Sequence, residues 1–128
     1  MRRILVVEDS PTMRAFLSST LEELDEPVKV TALASGFEAL RELPRQVFDL
    51  IVTDVNMPDI NGLELVSFVK RSDAYRSIPL VIISTEGGER DREKGLGLGA
   101  DAYLVKPFDP GELCGIAVDL LGAAGSGG

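Results

Sequence analysis

The amino-acid sequence predicts an α/β fold in which a parallel sheet is covered by helices on both faces. Four short runs are continuously apolar rather than alternating, as in strands that are buried on both sides. Helical patterns with a period near 3.6 separate these runs, and strict alternation of strand and helix places the strands in parallel. The four runs are residues 4–7, 50–53, 80–83 and 103–105.

A fifth strand is predicted at residues 28–33, where apolar and polar side chains alternate. Such alternation is typical of an edge strand with one face closer to water. The 128 residues of the chain are enough for one domain with a substantial core. Five strands in that length are most simply arranged as a flavodoxin-like, doubly wound (βα)5 fold with a parallel five-stranded sheet in the order 2-1-3-4-5.

Five helices are predicted from capping residues and apolar spacing. The first begins after Ser10, with Pro11 at its first position. The second begins at a capping box formed by Ser35 and Glu38. The fourth is weak, because a glycine inside a helix costs about 1 kcal/mol relative to alanine. The helices are predicted to begin at residues 11, 36, 62, 88 and 110, and the fourth contains glycines 95 and 97.

Composition and charge exclude several classes of function. Thirteen basic and 21 acidic residues give a net charge of −8, which argues against a surface for nucleic acid or anionic lipid. Apolar runs are too short to span a membrane, and the first one, ending at Glu8, is too short for a signal peptide. A single cysteine, Cys114, excludes an internal disulfide and suits the cytoplasm. The lack of histidine excludes histidine-based catalysis and leaves oxygen ligands for any metal.

The domain is expected to cover residues 1–121. Residues 122–128 consist of glycine, alanine and serine, a composition typical of a flexible tail or the start of a linker. An output domain beyond this tail is one possibility that the sequence leaves open. Nothing in the chain resembles a DNA-binding helix-turn-helix, so we expect no contact with nucleic acid by this chain.

Polar residues follow the predicted strands at the edge where α/β proteins bind ligands. Glu8 and Asp9 follow the first strand, Asp54 the third, Ser84 the fourth and Lys106 the fifth. Strands often end in polar residues that meet solvent, but this set of four strand ends together indicates a site. Clustered carboxylates repel one another, and their hard oxygens suit Mg²⁺. An aspartate beside Mg²⁺, a lysine and a hydroxyl is well placed to attack phosphorus and form an acyl phosphate.

Several short motifs occur in order along the chain. They are Val7-Glu8-Asp9-Ser10, Asp54-Val55-Asn56-Met57-Pro58, Asn61-Gly62, Ile83-Ser84, Gly99-Ala100-Asp101-Ala102-Tyr103 and Lys106-Pro107-Phe108. Each motif alone is weak, but their order and spacing resemble the response-regulator receiver family of two-component signalling. The resemblance covers residues 3 to about 121, and no residue that the family requires is missing.

The resemblance implies how a metal and a phosphoryl group would be bound. Asp54 is implied to be the phosphoacceptor. Asp9 and Asp54 are implied side-chain ligands of Mg²⁺, with Mn²⁺ as an alternative. Asn56 would offer its backbone carbonyl, and Glu8 would hold a metal-bound water.

The resemblance also implies the switching residues. Lys106 would contact the phosphoryl oxygens, and the Lys106-Pro107 bond is expected to be cis. Ser84 would be the switch hydroxyl that moves onto the phosphoryl group. Tyr103 would be the switch aromatic, turning inward when phosphorylation makes room for it. The plainer interpretation of Tyr103 is a half-buried strand residue.

The function implied is that of a bacterial, cytoplasmic signalling switch. A sensor histidine kinase or a histidine phosphotransfer protein would supply the phosphoryl group. The surface of the fourth helix, fifth strand and fifth helix would then change and control a target protein or an output domain. The chain would catalyse only its own phosphorylation and dephosphorylation, as a monomer or a phosphorylation-dependent dimer. Asn56 and Glu86 resemble the corresponding pair in single-domain chemotaxis regulators.

Two other functions are weighed against the switch. A Mg²⁺-dependent phosphatase of the haloacid-dehalogenase type would need a second aspartate two residues after the nucleophile, where this chain has Asn56. A flavodoxin-type electron carrier would need a phosphate-binding loop after the first strand. The carboxylates of Glu8 and Asp9 in that loop would repel the phosphate.

Overall fold

The computed structural model describes residues 1–57, 59–85 and 87–126, with the backbone alone for 123–126. Strands and helices alternate along the chain, as the sequence predicts. The elements are β1 (Arg2–Val7), α1 (Pro11–Glu22), β2 (Val28–Leu33), α2 (Gly36–Glu42), β3 (Leu50–Asp54), α3 (Gly62–Arg71), β4 (Leu80–Ser84), α4 (Glu89–Gly97), β5 (Ala102–Val105) and α5 (Pro110–Ser126).

The sheet has the predicted order β2-β1-β3-β4-β5, and every pair of neighbouring strands is parallel. The register aligns the carboxyl ends of the strands. Val7 pairs with both Leu33 and Thr53, and Ser84 pairs with Val105. The residues that follow these strands therefore meet at one edge of the sheet.

Two apolar clusters cover the two faces of the sheet. In β1, Leu5 and Val7 belong to one cluster, while Ile4 and Val6 belong to the other. The first cluster includes buried side chains of α2 and α3, and the second those of α1 and α5. Successive strand residues point to opposite faces, so burying both faces requires the continuous apolar runs seen in the sequence.

The fifth helix is longer than predicted. α5 continues to Ser126, whereas the composition predicted a flexible segment from Gly122 onward. The division into a domain at 1–121 and a tail at 122–128 stays a prediction. Four residues used in the sequence argument, Pro58, Glu86, Gly127 and Gly128, lie outside the described residues.

The glycine after the fourth helix has a positive φ angle. α4 ends with Leu98 as its C-cap, and Gly99 follows with a φ of 111°. Only glycine adopts this region of backbone conformation without strain, so Gly99 ends the helix and turns the chain toward β5. Among the described helices, none has the length and apolar character needed to cross a membrane.

Candidate functional site

Three carboxylates meet at the carboxyl edge of the sheet. Glu8, Asp9 and Asp54 each place one carboxylate oxygen within 4.8 Å of the others. Glu8 and Asp54 are almost fully buried, with 1% and 4% of their surface exposed, whereas Asp9 is exposed. The group therefore opens to solvent at Asp9. The structure thus brings together the acidic residues that follow β1 and end β3, as predicted.

Lys106 supplies the positive charge of this group. Its Nζ lies 3.2 Å from Glu8 Oε2 and 3.4 Å from Asp54 Oδ1. Its backbone N–H donates to the carbonyl of Ser84 at 2.8 Å, which joins the ends of β4 and β5. The predicted cis peptide bond between Lys106 and Pro107 is present. Lys106 therefore bridges two carboxylates that come from different strands.

The charges of the group do not cancel. When all four groups are ionised, three carboxylates face one ammonium. Burial raises the pKa of Glu8 most, and the nearby charge of Asp54 raises it further. The Ser10 amide and Lys106 lower that pKa, but the net direction is upward. An excess of negative charge on closely spaced hard oxygens fits a divalent cation such as Mg²⁺.

The start of α1 fixes the turn that carries Glu8 and Asp9. The Ser10 N–H donates to Glu8 Oε1 at 3.2 Å, and Ser10 Oγ accepts from the Met13 N–H at 3.3 Å as the N-cap of α1. A guanidinium N–H of Arg14 donates to the Glu8 carbonyl at 2.9 Å. The Glu8 carboxylate is thereby joined to the N-cap of α1, and the Glu8 carbonyl to Arg14 of that helix. No sequence motif indicates Arg14.

The backbone around Asp54 is closely packed. The Val55 N–H donates to Asp54 Oδ1 at 2.9 Å and to the Ile83 carbonyl at 3.2 Å. The Gly62 N–H donates to the Val55 carbonyl at 2.9 Å, so the loop after β3 closes on itself. A Cβ on Gly62 would lie 2.1 Å from the Asp54 carbonyl oxygen. The sequence assigned Gly62 to a helix start, and its approach to Asp54 is an additional finding.

Ser84 and Asn56 occupy the positions that the motifs indicate. Ser84 is buried at the end of β4, and Thr85 after it is exposed. Asn56 is exposed in the loop between the buried residues Val55 and Met57. Ser84 therefore ends β4, and Asn56 lies in the loop that follows β3.

Tyr103 lies in β5, where the motifs predict the switch aromatic. It is buried, with 7% of its surface exposed, and not half-buried. It packs within the apolar cluster that contains Ile82. A Cβ on Gly95 would lie 3.2 Å from Tyr103 Cδ2 and 2.8 Å from Ile82 Cδ1, so the absence of a side chain at Gly95 makes room for the ring. The packing of the Tyr103 ring therefore depends on the glycine at position 95.

The fold and the acidic site together define a class: a doubly wound α/β protein with a candidate cation site at the carboxyl edge of its sheet. Residues 4–117 match the response regulator receiver domain. The chain belongs to that family, whose members are phosphorylation-dependent signalling switches and not classical enzymes. The interpretations as a phosphatase or an electron carrier are thereby set aside.

Relatives and solved structures agree with this assignment. A chemotaxis protein CheY homolog of Campylobacter jejuni is 39% identical over 126 residues, covering 98% of this chain and 95% of the relative. The chemotaxis protein CheY1 of Helicobacter pylori is 38% identical over 84% of this chain and 87% of its own length. The chemotaxis response regulator CheY4 of Vibrio cholerae superposes with a TM-score of 0.82 at 34% identity, covering 94% of this chain and 98% of that structure.

Proposed function

We propose that the chain accepts a phosphoryl group on Asp54 from the phosphohistidine of a sensor histidine kinase or a histidine phosphotransfer protein. The observation that carries the proposal is the meeting of Asp54 with Glu8, Asp9 and Lys106 at one edge of the sheet. An aspartate so placed is a nucleophile with its own charge compensation nearby. The family membership supports the choice of phosphorus as the atom attacked.

Mg²⁺, or Mn²⁺ in its place, is the proposed cofactor. Asp9 and Asp54 would hold it through their carboxylates, Asn56 through its backbone carbonyl and Glu8 through a water. The donor set consists of hard oxygens and carries excess negative charge, which supports this assignment. When bound, the cation supplies positive charge beside the oxygens of the transferring group.

The chain's own residues perform the transfer. A carboxylate oxygen of Asp54 forms the new bond to phosphorus while the bond from phosphorus to the donor's histidine nitrogen breaks. The ammonium of Lys106, already beside Asp54 Oδ1, neutralises charge on the phosphoryl oxygens. The hydroxyl of Ser84 then donates a hydrogen bond to a phosphoryl oxygen. Water attack on the same phosphorus would reverse the modification, which is the proposed self-dephosphorylation.

The proposed output surface consists of α4, β5 and α5. Phosphorylation adds about −1.5 to −2 charge at Asp54, and Ser84 and the loop after it respond. The proposed shift is in the equilibrium position of α4 and its loop, with Tyr103, which lies against Gly95 of α4, as the switch aromatic. A target protein or an output domain would bind the shifted surface.

Phosphorylation with acetyl phosphate tests the acceptor. With Mg²⁺ present, intact-mass analysis should show one added phosphoryl group on the wild type and none on Asp54→Asn. Asp73→Asn is a suitable control, because Asp73 is an exposed aspartate whose side chain pairs with Arg76. Asp9→Asn should lose both Mg²⁺ binding and labelling. Equal labelling of Asp54→Asn and wild type would refute the assignment of Asp54.

A further inference from the structure

A carboxylate outside the acidic group joins the loop after β3 to a neighbouring helix. Asp59 Oδ2 accepts from the Phe37 N–H at 2.9 Å, and Asp59 Oδ1 accepts from the Gly36 N–H at 3.3 Å. Gly36 and Phe37 are the first two residues of α2. Both oxygens of one side chain are therefore bound to the amino end of a helix that precedes it by more than 20 residues.

The amino end of α2 depends on this carboxylate for its hydrogen bonds. Helices leave their first amides without partners inside the helix. Ser35 Oγ accepts from the Glu38 N–H at 3.2 Å, and Asp59 accepts from the two amides before it. The negative charge of Asp59 also interacts favourably with the helix dipole. These amide hydrogen bonds lower the pKa of Asp59, which keeps the side chain ionised.

The same loop carries the backbone of Asn56. Val55 and Met57 are buried on either side of Asn56, and the Gly62 N–H bond to the Val55 carbonyl closes the loop. The far part of the loop meets α2, since a Cβ on Gly36 would lie 2.7 Å from Ile60 Cβ. The core and the ring closure thus fix one part of the loop, while α2 fixes the part containing Asp59 and Ile60.

We infer that Asp59 is a positioning residue for metal binding: by joining the loop to α2, it limits the movement of the backbone that carries the Asn56 carbonyl, a proposed ligand. This inference rests on the proposed Mg²⁺ site. A backbone carbonyl can serve as a ligand only if the chain around it is held in place, because no rotation of a side chain can correct its direction. Partners that orient a ligand without touching the metal commonly change metal affinity by about 10- to 100-fold.

Two variants separate this role from the stability of α2. Asp59→Ala removes the link between the loop and the helix. Ser35→Ala removes a cap from the same helix end and leaves the loop contact intact. Mg²⁺ titration followed by amide NMR shifts should give a dissociation constant about tenfold higher for Asp59→Ala and unchanged for Ser35→Ala. Asp59→Asn, which keeps one acceptor oxygen, should lie between the two and serves if Asp59→Ala does not fold.

Amide hydrogen exchange gives a second readout that is independent of phosphorylation. Coupling between two sites is reciprocal, so Mg²⁺ binding should slow exchange of the Phe37 amide in wild type and in Ser35→Ala. If wild type binds Mg²⁺ but Phe37 exchange does not change and Asp59→Asn binds as wild type does, the positioning role is wrong. If wild type binds no Mg²⁺ and is not labelled, the proposed function itself fails.

Discussion

The helices α3 and α4 follow neighbouring strands of one sheet, but they are held in place to different degrees. α3 buries Leu65, Val66 and Val69, and the Asn61 side chain caps it by accepting from the Leu63 N–H at 2.7 Å. α4, all of whose residues are described, buries Gly95 alone. Its N-cap is Gly88, which has no side chain to accept from the first turn.

The exposed charges of α4 fit its weak packing. Residues 89–94 of α4 alternate between acidic and basic side chains, and all of them are exposed. A helix with few buried contacts and glycine in its last turns unfolds or shifts locally at lower cost than one packed along its length. The acceptor Asp54 is thus next to the firmly packed α3, and we call α3 and the acidic group the firm side. The proposed moving surface includes the weakly packed α4, which we call the weak side.

The largest expected effect comes from disturbing the firm side. Gly62→Ala would place a Cβ 2.1 Å from the Asp54 carbonyl oxygen and 2.8 Å from Val55 Cα, and both are backbone atoms with little freedom to move. We expect the free energy of unfolding to fall by about 3 kcal/mol and the rate of Asp54 labelling to fall as well. Urea denaturation and intact-mass labelling would measure the two effects.

Gly111→Ala is the matched control for that substitution. Gly111 also lies in the first turn of a helix, and no atom of the described chain comes within 4 Å of a Cβ placed there. Its unfolding free energy should be unchanged or higher. Equal losses in both variants would mean that the close approach to Asp54 is unimportant.

The stability of the firm side should depend on pH through Glu8. The pKa of Glu8 is raised by burial and by the charge of Asp54, so the folded state binds a proton more tightly than the unfolded chain does. The stabilisation from this tighter proton binding is complete below pH 4.5, the ordinary pKa of the carboxyl group. It is lost as pH rises through the raised pKa of Glu8. In the same window, Mg²⁺ should bind more weakly as pH falls, because protons compete for Glu8.

Glu8→Gln tests this sign. Without Mg²⁺ at neutral pH the variant should be more stable than wild type by about 1 kcal/mol, since burial and the charge of Asp54 disfavour the Glu8 carboxylate more than Lys106 favours it. Its unfolding free energy should also lack the decline that Glu8 causes in wild type as pH rises above 4.5. Lys106 remains beside Asp54 in this variant, so chemical denaturation across pH isolates Glu8. A variant less stable than wild type at neutral pH would contradict the assigned direction.

On the weak side, Gly95 of α4 lies against the core. Gly95→Ala would bring a Cβ to 2.8 Å from Ile82 Cδ1 and 3.2 Å from Tyr103 Cδ2. Both neighbours are side-chain atoms, so the cost should be smaller than at Gly62, about 1 kcal/mol of unfolding free energy. We expect the Tyr103 ring to move outward.

Ring proton shifts and solvent access of the ring in a Tyr75→Phe background would measure this movement, since the chain has two tyrosines. If Tyr103 stays buried and stability is unchanged, α4 has shifted instead of the ring. That outcome would show that the helix gives way more easily than the core.

The strand order could be predicted because strands that are buried on both faces are continuously apolar in the sequence, whereas the edge strand alternates. The start of β1 could not, since Arg2 and Arg3 pair with Val28 and Lys29 through backbone groups that take no account of side-chain polarity. The apolar run alone began the strand at Ile4. The extent of α5 to Ser126 could not be predicted either, because the glycine-rich composition there carries no helical pattern.

The acidic group could be predicted because each member lies at or next to the end of a strand. The packing of the Tyr103 ring against Gly95 could not, since the two residues lie in different elements. The contact of Asp59 with Phe37 was missed for the same reason: a loop residue and a helix end that are distant in sequence leave no periodic pattern. Strand ends are therefore predictable from local sequence, whereas contacts between loops and helices require the three-dimensional structure.

The smallest effect is expected at the exposed glycine of α4. A Cβ on Gly97 would meet no atom of the described chain within 4 Å, so Gly97→Ala gains helix propensity at no steric cost. The free energy of unfolding should rise by about 0.5–1 kcal/mol, and amide exchange within α4 should slow. Labelling of Asp54 should stay at the wild-type rate, because the acceptor lies on the firm side. If Gly97→Ala instead speeds exchange in α4 or slows labelling, the weak packing of α4 is not a matter of local helix stability, and the proposed division between the two sides fails.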